Sequence, residues 1–233
     1  TRPARLININ EIDALKFIRV EKEFARTGAC TRQCVIARDS ALAQAVPLLK
    51  QALEWVGHVQ TRNRGTVGGS LVHADPAAEM PLVAQILGAE MVLRSHAGTR
   101  TVKAAEFFEG PLATATRADE CLEEIHWPIW SEKRTGSAFT EVSRRHGDFA
   151  LVAACAQVAL DADGRCTRAS FGLGGGGTIP LAFPQLSAQL TGTKLDDATV
   201  KEVAHGAATE LDPGSDLHAS AAYRKHLAAV LAQ

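Results

Sequence analysis

Residues 62–81 read RNRGTVGGSLVHADPAAEMP, and this stretch decides how the rest of the chain is interpreted. Residues 61–70 are polar and carry three glycines, which predicts a loop. Glycine lets a backbone approach a ligand closely, and consecutive amide N–H groups in such a turn form an anion-binding nest. That nest would suit a phosphate or pyrophosphate, with hydroxyl hydrogen bonds from Thr66 and Ser70. A tight surface turn explains the glycines equally well.

The glycine spacing differs from the common nucleotide-binding fingerprints. It is neither the G-x-G-x-x-G of dinucleotide-binding folds nor a phosphate loop that ends in G-K-[ST]. Downstream, Asp75 and Glu79 flank Pro76 where a loop is predicted to become a helix. Carboxylates there either cap the helix or accept hydrogen bonds from sugar-like hydroxyls, and from the residues alone capping is favoured.

The pattern around this stretch mixes helices and strands. Apolar residues at helical spacing predict one or two helices over Val35–Val59, broken near Pro47. A short helix is predicted over Met80–Leu87, and Ser-His-Ala-Gly at residues 95–98 predicts a hairpin. Further strands are predicted over residues 6–9 and Cys121–Trp127.

A charged link at residues 131–136 separates a second part with a different pattern. Three strands are predicted there, over Ala138–Val142, Ala150–Leu160 and Cys166–Leu173, followed by helices near Pro184–Leu190, Ala198–Leu211 and Ser220–Leu231. The predicted fold class is therefore α+β, with a domain over residues 1–131 and a second, a three-stranded antiparallel sheet plus helices, over residues 132–233.

Composition excludes several function classes. The 233 residues are 46% hydrophobic and 22% charged with a net charge of −1, which argues against disorder and against nucleic-acid binding through bulk charge. No apolar run has the length needed to span a bilayer. The five cysteines include no C-x-x-C pair, and the histidines lack metal-ligand spacing. We therefore expect no metal site, and we expect a cytoplasmic protein.

Four segments, taken with residues 62–81, resemble one protein family in the same order. They are Gly28–Thr31 (GACT), Cys121–Pro128 (CLEEIHWP), Arg144–Ala150 (RRHGDFA) and Tyr223–Leu227 (YRKHL). Together they are similar to the FAD-binding medium subunits of molybdenum hydroxylases, such as those of carbon monoxide dehydrogenase, quinoline 2-oxidoreductase and nicotine dehydrogenase. Xanthine dehydrogenase carries the same module in a longer chain.

This resemblance implies a fold and a cofactor. The first domain would be of the vanillyl-alcohol-oxidase (PCMH) type, and the second would be the CO-dehydrogenase flavoprotein C-terminal domain. FAD would be bound non-covalently. Its pyrophosphate would contact main-chain amides of Thr66, Val67, Gly68, Gly69 and Ser70.

The resemblance also implies roles for five further residues. Asp75 and Glu79 would lie near the ribityl and flavin side, and Leu122 would pack near the isoalloxazine ring. Thr140 stands where relatives often carry lysine, so charge stabilisation from that position would be absent. For Asp148 a flavin contact and a structural turn are equally favoured. No catalytic nucleophile–base pair is predicted.

The implied function is electron transfer. A small subunit with [2Fe-2S] clusters would pass electrons to this flavin from a large molybdopterin subunit, in a dimer of heterotrimers, and the flavin would pass them to an external acceptor. The resemblance favours an N-heteroaromatic substrate for the whole complex. Relatives also have an earlier Gly-Gly loop of the form A-G-G-x-S-L, which this sequence does not contain. Either the sequence is an N-terminally truncated fragment, or the protein holds FAD with half the usual phosphate clamp. Weaker flavin retention is therefore expected, and a flavin-free structural or assembly subunit is the alternative.

The four glycines at Gly174–Gly177 could suggest a second phosphate loop. No basic residue or helix start follows them directly. A structural turn near a subunit contact is the favoured interpretation.

Overall fold

The first sheet of the protein has five antiparallel strands in the order β1-β2-β7-β3-β4. The computed structural model describes residues 3–233. A separate two-stranded ribbon pairs β5 with β6. The strands of these two sheets are β1 (Ile18–Val20), β2 (Phe24–Gly28), β3 (Glu90–Ser95), β4 (Gly98–Lys103), β5 (Phe108–Gly110), β6 (Ala113–Thr114) and β7 (Cys121–Pro128).

The predicted hairpin and the predicted strand at residue 121 are both present, as β3–β4 and β7. On the buried face of the sheet, Trp127 Nε1 of β7 donates a hydrogen bond to Thr27 Oγ1 of β2 at 2.9 Å. The strand predicted over residues 6–9 is wrong. A 3-10 turn begins at Ile9 instead, because the Asn8 side chain accepts a hydrogen bond from the Asn10 amide and caps that turn.

Short helices pack against the first sheet. They are α1 (Gln33–Arg38), α2 (Ser40–Ala45), α3 (Pro47–Leu53), α4 (Val59–Arg64), α5 (Val67–His73), α6 (Glu79–Leu87) and α7 (Ala104–Phe107). Pro47 starts α3, as its lack of an amide donor favours, and the helical region predicted over Val35–Val59 is divided further at Asp39, which caps α2.

The loop predicted over residues 61–70 is wrong. Helices α4 and α5 occupy most of it, and only Gly65 and Thr66 lie between them. Thr66 is extended and caps α5, because its Oγ1 accepts a hydrogen bond from the Gly69 amide at 3.0 Å. Burial of Val67 and Leu71 then stabilises this glycine-containing helix against the core.

The second sheet has the order β11-β10-β9-β8, and all its pairs are antiparallel. Its strands are β8 (Thr135–Val142), β9 (Val152–Leu160), β10 (Cys166–Gly174) and β11 (Leu181–Ala182). The three predicted strands are present, and the two-residue β11 extends the sheet beyond them. The three helices predicted after it are also present, as α8 (Pro184–Leu190), α9 (Asp197–Glu210) and α10 (Ala221–Leu231).

The two faces of the second sheet pack against different parts of the chain. One face carries Ala154, Phe171 and Leu173, which form an apolar core with α8, α9 and α10. The other face carries Phe139, Ala153 and Cys155, which join the core of the first part through α3 and α6. The second sheet therefore lies between two helical layers.

Contact between α6 and β10 is close enough to require glycine. A Cβ added at Gly172 would lie 2.4 Å from Ile86 Cδ1 and 2.2 Å from the Leu181 carbonyl oxygen. At the next position on this face, a Cβ at Gly174 would lie 3.2 Å from Leu82 Cδ2. This packing fixes the start of α6 relative to the second sheet.

The glycines at Gly174–Gly177 form a turn in this contact. Gly175 has a φ of +74° and donates its amide to the Pro76 carbonyl at 2.9 Å. A Cβ at Gly176 would lie 2.4 Å from Leu211 Cδ2. The structure thus agrees with the prediction of a structural turn, which here joins the two parts of the chain.

Candidate functional site

The start of α5 lies against the end of β2. A Cβ added at Gly68 would lie 2.5 Å from Ala29 Cβ and 2.7 Å from the Ala29 carbonyl oxygen. The Gly68 amide donates to that same oxygen at 2.9 Å. Gly68 is therefore required because two backbones meet there.

Protein acceptors occupy the amide donors from which the sequence predicts an anion-binding nest. The Val67 amide donates to the Thr31 carbonyl at 3.1 Å, and the Ser70 amide donates to the Thr66 carbonyl at 3.1 Å. Gly68 and Gly69 donate to Ala29 and to the Thr66 hydroxyl, as described above. The segment from Thr66 to Ser70 thus shapes the site because its two glycines have no side chains and because Thr66 and Ser70 carry hydroxyls.

Cavity 1, about 650 Å³, lies on one side of this segment. Its floor comes from α5 and the start of α6, and its far wall comes from the turn between β8 and β9. That turn approaches the chain before α4, since a Cβ at Gly147 would lie 2.8 Å from the imidazole of His58. Its lining includes Gln33, Thr66, Gly69, Ser70, Glu79 and Asp148.

Cavity 2, about 440 Å³, lies on the other side of the same segment. Gly68, Leu122 and Glu120 line it. Arg100 holds Glu120 through two contacts of 2.6 and 2.7 Å, which lowers the pKa of that carboxyl to about 2. Thr66, Gly69 and His73 line both cavities, so the two cavities adjoin each other along α5.

The structure brings most of the predicted site residues to these two cavities. Cavity 1 receives Thr66, Gly69, Ser70, Glu79 and Asp148, and cavity 2 receives Thr66, Gly68, Gly69 and Leu122. Glu79 and Leu122, both predicted near the flavin ring, therefore line different cavities.

The remaining three predicted residues lie elsewhere. Val67, the first residue of α5, is fully buried in the core. Asp75 lines a third cavity and caps its own turn, with Oδ1 accepting from the Ala77 amide at 2.9 Å. Thr140 belongs to the face of the second sheet that packs on α10, where it lines a small cavity with Leu231. Side chains alternate along a strand, so Thr140 points away from cavity 1.

Gln33 is a site residue that the sequence did not reveal. It is only 4% exposed, lines cavity 1, and its Oε1 accepts no hydrogen bond from residues 3–233. A buried carbonyl oxygen of this kind needs a donor, and a ligand in cavity 1 can supply one. No signal in a single sequence marks an ordinary glutamine in α1 as buried and unpaired.

Glu79 is a buried carboxyl in the wall of cavity 1. Burial raises its pKa to about 7, Asp75 adds to the effect, and Arg62 opposes it. Arg62 itself donates to the Val56 and Gly57 carbonyls at 2.7 and 2.9 Å. Among the described residues that line cavities 1 and 2, none is a lysine or an arginine.

Comparison with known proteins shows what this architecture is. Residues 1–130 match the family described as the FAD binding domain in molybdopterin dehydrogenase, and residues 137–233 match the CO dehydrogenase flavoprotein C-terminal domain. The chain belongs to the FAD-binding medium subunits of molybdenum hydroxylases. The predicted family and fold class are thereby confirmed.

Individual relatives of this medium subunit cover nearly all of the chain. It is 36% identical, over 96% of its length, to the 6-hydroxypseudooxynicotine dehydrogenase complex subunit alpha of Paenarthrobacter nicotinovorans. The quinoline 2-oxidoreductase structure from Pseudomonas putida 86 superposes with a TM-score of 0.90 at 35% identity over 96% of the chain. For carbon monoxide dehydrogenase from Hydrogenophaga pseudoflava the TM-score is 0.95 at 29% identity over 100% of the chain. The medium subunit spans 75%, 77% and 80% of these proteins, respectively.

The cofactor of this family fits the two cavities. The two cavities adjoin each other along α5 and share the lining residue Gly69, which has no side chain. The unpaired Gln33 oxygen and the Ser70 side chain offer polar contacts in cavity 1. Within residues 3–233, no helix is both long and apolar enough to cross a membrane.

Proposed function

We propose that the chain carries FAD across the two cavities and transfers electrons through it within a molybdenum hydroxylase complex. The lining that cavities 1 and 2 share at Thr66, Gly69 and His73 carries this proposal, because an extended dinucleotide needs two adjoining spaces of this kind. Bound FAD would supply a ring that takes up and releases electrons singly or in pairs.

The chain's own residues would position the cofactor. Thr66, Gly68, Gly69 and Ser70 would border the crossing between the cavities, and Leu122 would contact the part in cavity 2. In cavity 1, Glu79 and Asp148 would border the other part, and Gln33 Oε1 would accept a hydrogen bond from it. Val67 anchors the segment in the core. We propose no cofactor contact for Asp75 or Thr140.

The finer assignments rest on the relatives. We propose a small [2Fe-2S] subunit and a large molybdopterin subunit as partners, in a dimer of heterotrimers, and an external electron acceptor. The names of the quinoline and 6-hydroxypseudooxynicotine enzymes support an N-heteroaromatic substrate for the complex. We also propose a domain boundary near residue 131 and a cytoplasmic location, the latter supported by five cysteines that are free in the structure.

An FAD titration of the purified chain, read by the absorption bands of bound flavin, tests this proposal. Gly69→Ala places a Cβ 2.8 Å from Thr66 Oγ1, where the cavities meet and the α5 cap forms. We expect it to weaken FAD binding about tenfold, the equivalent of one lost hydrogen bond with its cap. The matched control is Gly110→Ala, where an added Cβ meets nothing within 4 Å.

The titration also separates the electron-transfer function from its alternative. Saturable binding that Gly69→Ala weakens and Gly110→Ala leaves unchanged supports the proposal. No uptake of FAD by the wild-type chain at any concentration would contradict it and favour a flavin-free structural subunit. Equal affinity in all three proteins would place the cofactor elsewhere.

A further inference from the structure

A second buried carboxyl lies behind Glu79, on the second sheet. Glu141, in β8, is 5% exposed, and neither of its carboxyl oxygens accepts a hydrogen bond from residues 3–233. An ionised carboxylate in such a position is costly, because burial removes its hydration and nothing replaces it. The side chain therefore needs a proton, a ligand or a partner.

Strand register places Glu141 next to the start of α6. Glu141 pairs with Ala153 of β9, and Ala153 pairs on its other side with Gly174 of β10. Gly174 in turn packs on Leu82, one helical turn after Glu79. Glu141 thus belongs to the face of the sheet that packs on α6, and Glu79 lines cavity 1 in front of it.

Electrostatics agree with this geometry. Burial first, and then the nearby Glu79 carboxyl, raise the pKa of Glu141 to about 8. Glu79 titrates at about 7, so the two groups lose their protons over neighbouring pH ranges.

Few other charges act on the pair. Asp75 raises the pKa of Glu79 and Arg62 lowers it, whereas Glu79 is the charged group that acts on Glu141. Helix α3, which packs on β8, contributes Lys50 and Glu54, and both are exposed. The remaining charged or titratable residues around cavity 1 are His73 of α5 and His58, His146 and Asp148 at the far wall.

We propose that Glu79 and Glu141 form a proton-binding pair that removes negative charge from the α6 side of cavity 1, and that an anionic ligand entering the cleft strengthens the pair's hold on its proton. The anion is the diphosphate group of FAD, so this inference rests on the proposed function. No lysine or arginine lines the two cavities among the described residues, and the amides at the start of α5 are occupied. A neutral pair therefore removes a repulsion that the cleft has no lining cation to offset.

Neither Glu141 oxygen has a hydrogen-bond partner among residues 3–233, so Glu79 and Glu141 act on each other through charge and not through a shared hydrogen bond. Glu79 is the member that reaches the cavity, so Glu141 acts through it as a positioning and proton-storing residue.

Two readouts test the pair, one without FAD and one with it. Infrared spectra of the chain alone, recorded between pH 5 and pH 9.5, report the carbonyl band of protonated buried carboxyls. We expect this band to persist at pH 7 in wild type and in the control Glu202→Gln, a change on the exposed face of α9. We expect Glu141→Gln to lose the component of the band that titrates at the highest pH. We expect Glu79→Gln to lower the titration midpoint of that Glu141 component, because the nearby like charge is gone.

FAD affinity over the same pH range tests the coupling. We expect wild type and Glu202→Gln to bind FAD roughly five- to tenfold more weakly at pH 9 than at pH 6, and Glu141→Gln to show less than about half of that change on a logarithmic scale. Absence of the band at pH 7, or an unchanged slope in Glu141→Gln, would overturn the inference while leaving FAD binding in place. No FAD binding at any pH would contradict the proposed function and with it the coupling, and the infrared result would still decide whether the pair holds a proton.

Discussion

Arg224 and Glu141 are both buried against the second sheet, one on each side of it. Arg224 of α10 is 7% exposed and donates to the Leu151 and Gly175 carbonyls at 2.6 and 3.1 Å and to Asp216 at 2.7 Å. Glu141 is 5% exposed and accepts no hydrogen bond from residues 3–233. A buried charge with all its bonds made joins elements together, whereas one without them remains free to change its protonation.

The largest effect on stability is expected at Arg224, the buried charge that has hydrogen-bond partners. Arg224→Met removes the donor to two carbonyl oxygens and the partner of Asp216, so the free energy of unfolding should fall by about 3 kcal/mol at every pH between 6 and 9. Urea unfolding measures this, and the control is the exposed neighbour Lys225→Ala. A loss below about 1 kcal/mol would mean that Arg224 is not what joins α10 to the sheet.

The next effect concerns the contact that places Glu79 near Glu141. Gly172→Ala would set a Cβ 2.2 Å from the Leu181 carbonyl oxygen and 2.4 Å from Ile86, which should destabilise the chain by about 2 kcal/mol through overpacking. Gly136→Ala, on β8 with open space around the added Cβ, should change stability by no more than about 0.5 kcal/mol. Equal thermal stability of the two variants would show that α6 does not press on β10.

A smaller, pH-dependent effect is expected at Glu141. Its folded-state pKa of about 8 exceeds the ordinary value of 4.5, so the folded chain holds more protons and wild-type stability falls as pH rises between those values. Glu141→Gln removes that slope. We expect it to match wild type near pH 5 and to exceed it by about 1 to 2 kcal/mol near pH 8, after relaxation around the charge. A constant difference across this range would contradict the raised pKa.

The sequence predicted the elements of the fold better than the positions of side chains around the site. Local signals suffice for the β3–β4 hairpin, for the start of α3 at Pro47 and for β7. The segment at residues 61–70 misled because its polarity and glycines favour a loop, while a Thr66 cap and the burial of Leu71 stabilise a helix.

Thr140 and Glu141 show the same limit within one strand. A sequence places both in β8, but only the contact with α6 shows which of the two lies on the side of the sheet that packs on α6. The resemblance to relatives assigned Thr140 to the site. Because side chains alternate along a strand, its neighbour Glu141 is the one on the side of the sheet that packs on α6. Gln33 and Glu141 become notable only when tertiary packing buries them without partners.

The smallest effect follows from that alternation. Thr140→Val changes a side chain that faces α10, so FAD affinity should stay within about twofold of wild type, the level of surface substitutions away from a site. The FAD titration described above measures it, with Gly69→Ala as the positive comparison. A tenfold loss in Thr140→Val would place the cofactor on the opposite face of the sheet.

The crystal structure of the chain in complex with FAD is the most direct measurement. We expect the dinucleotide to cross at Gly69 with one end in cavity 1, beside Gln33 and Glu79, and the other in cavity 2 beside Leu122. Density for FAD in the third cavity, between Asp75 and the turn at Gly174–Gly177, or against Thr140, would contradict the site that we propose.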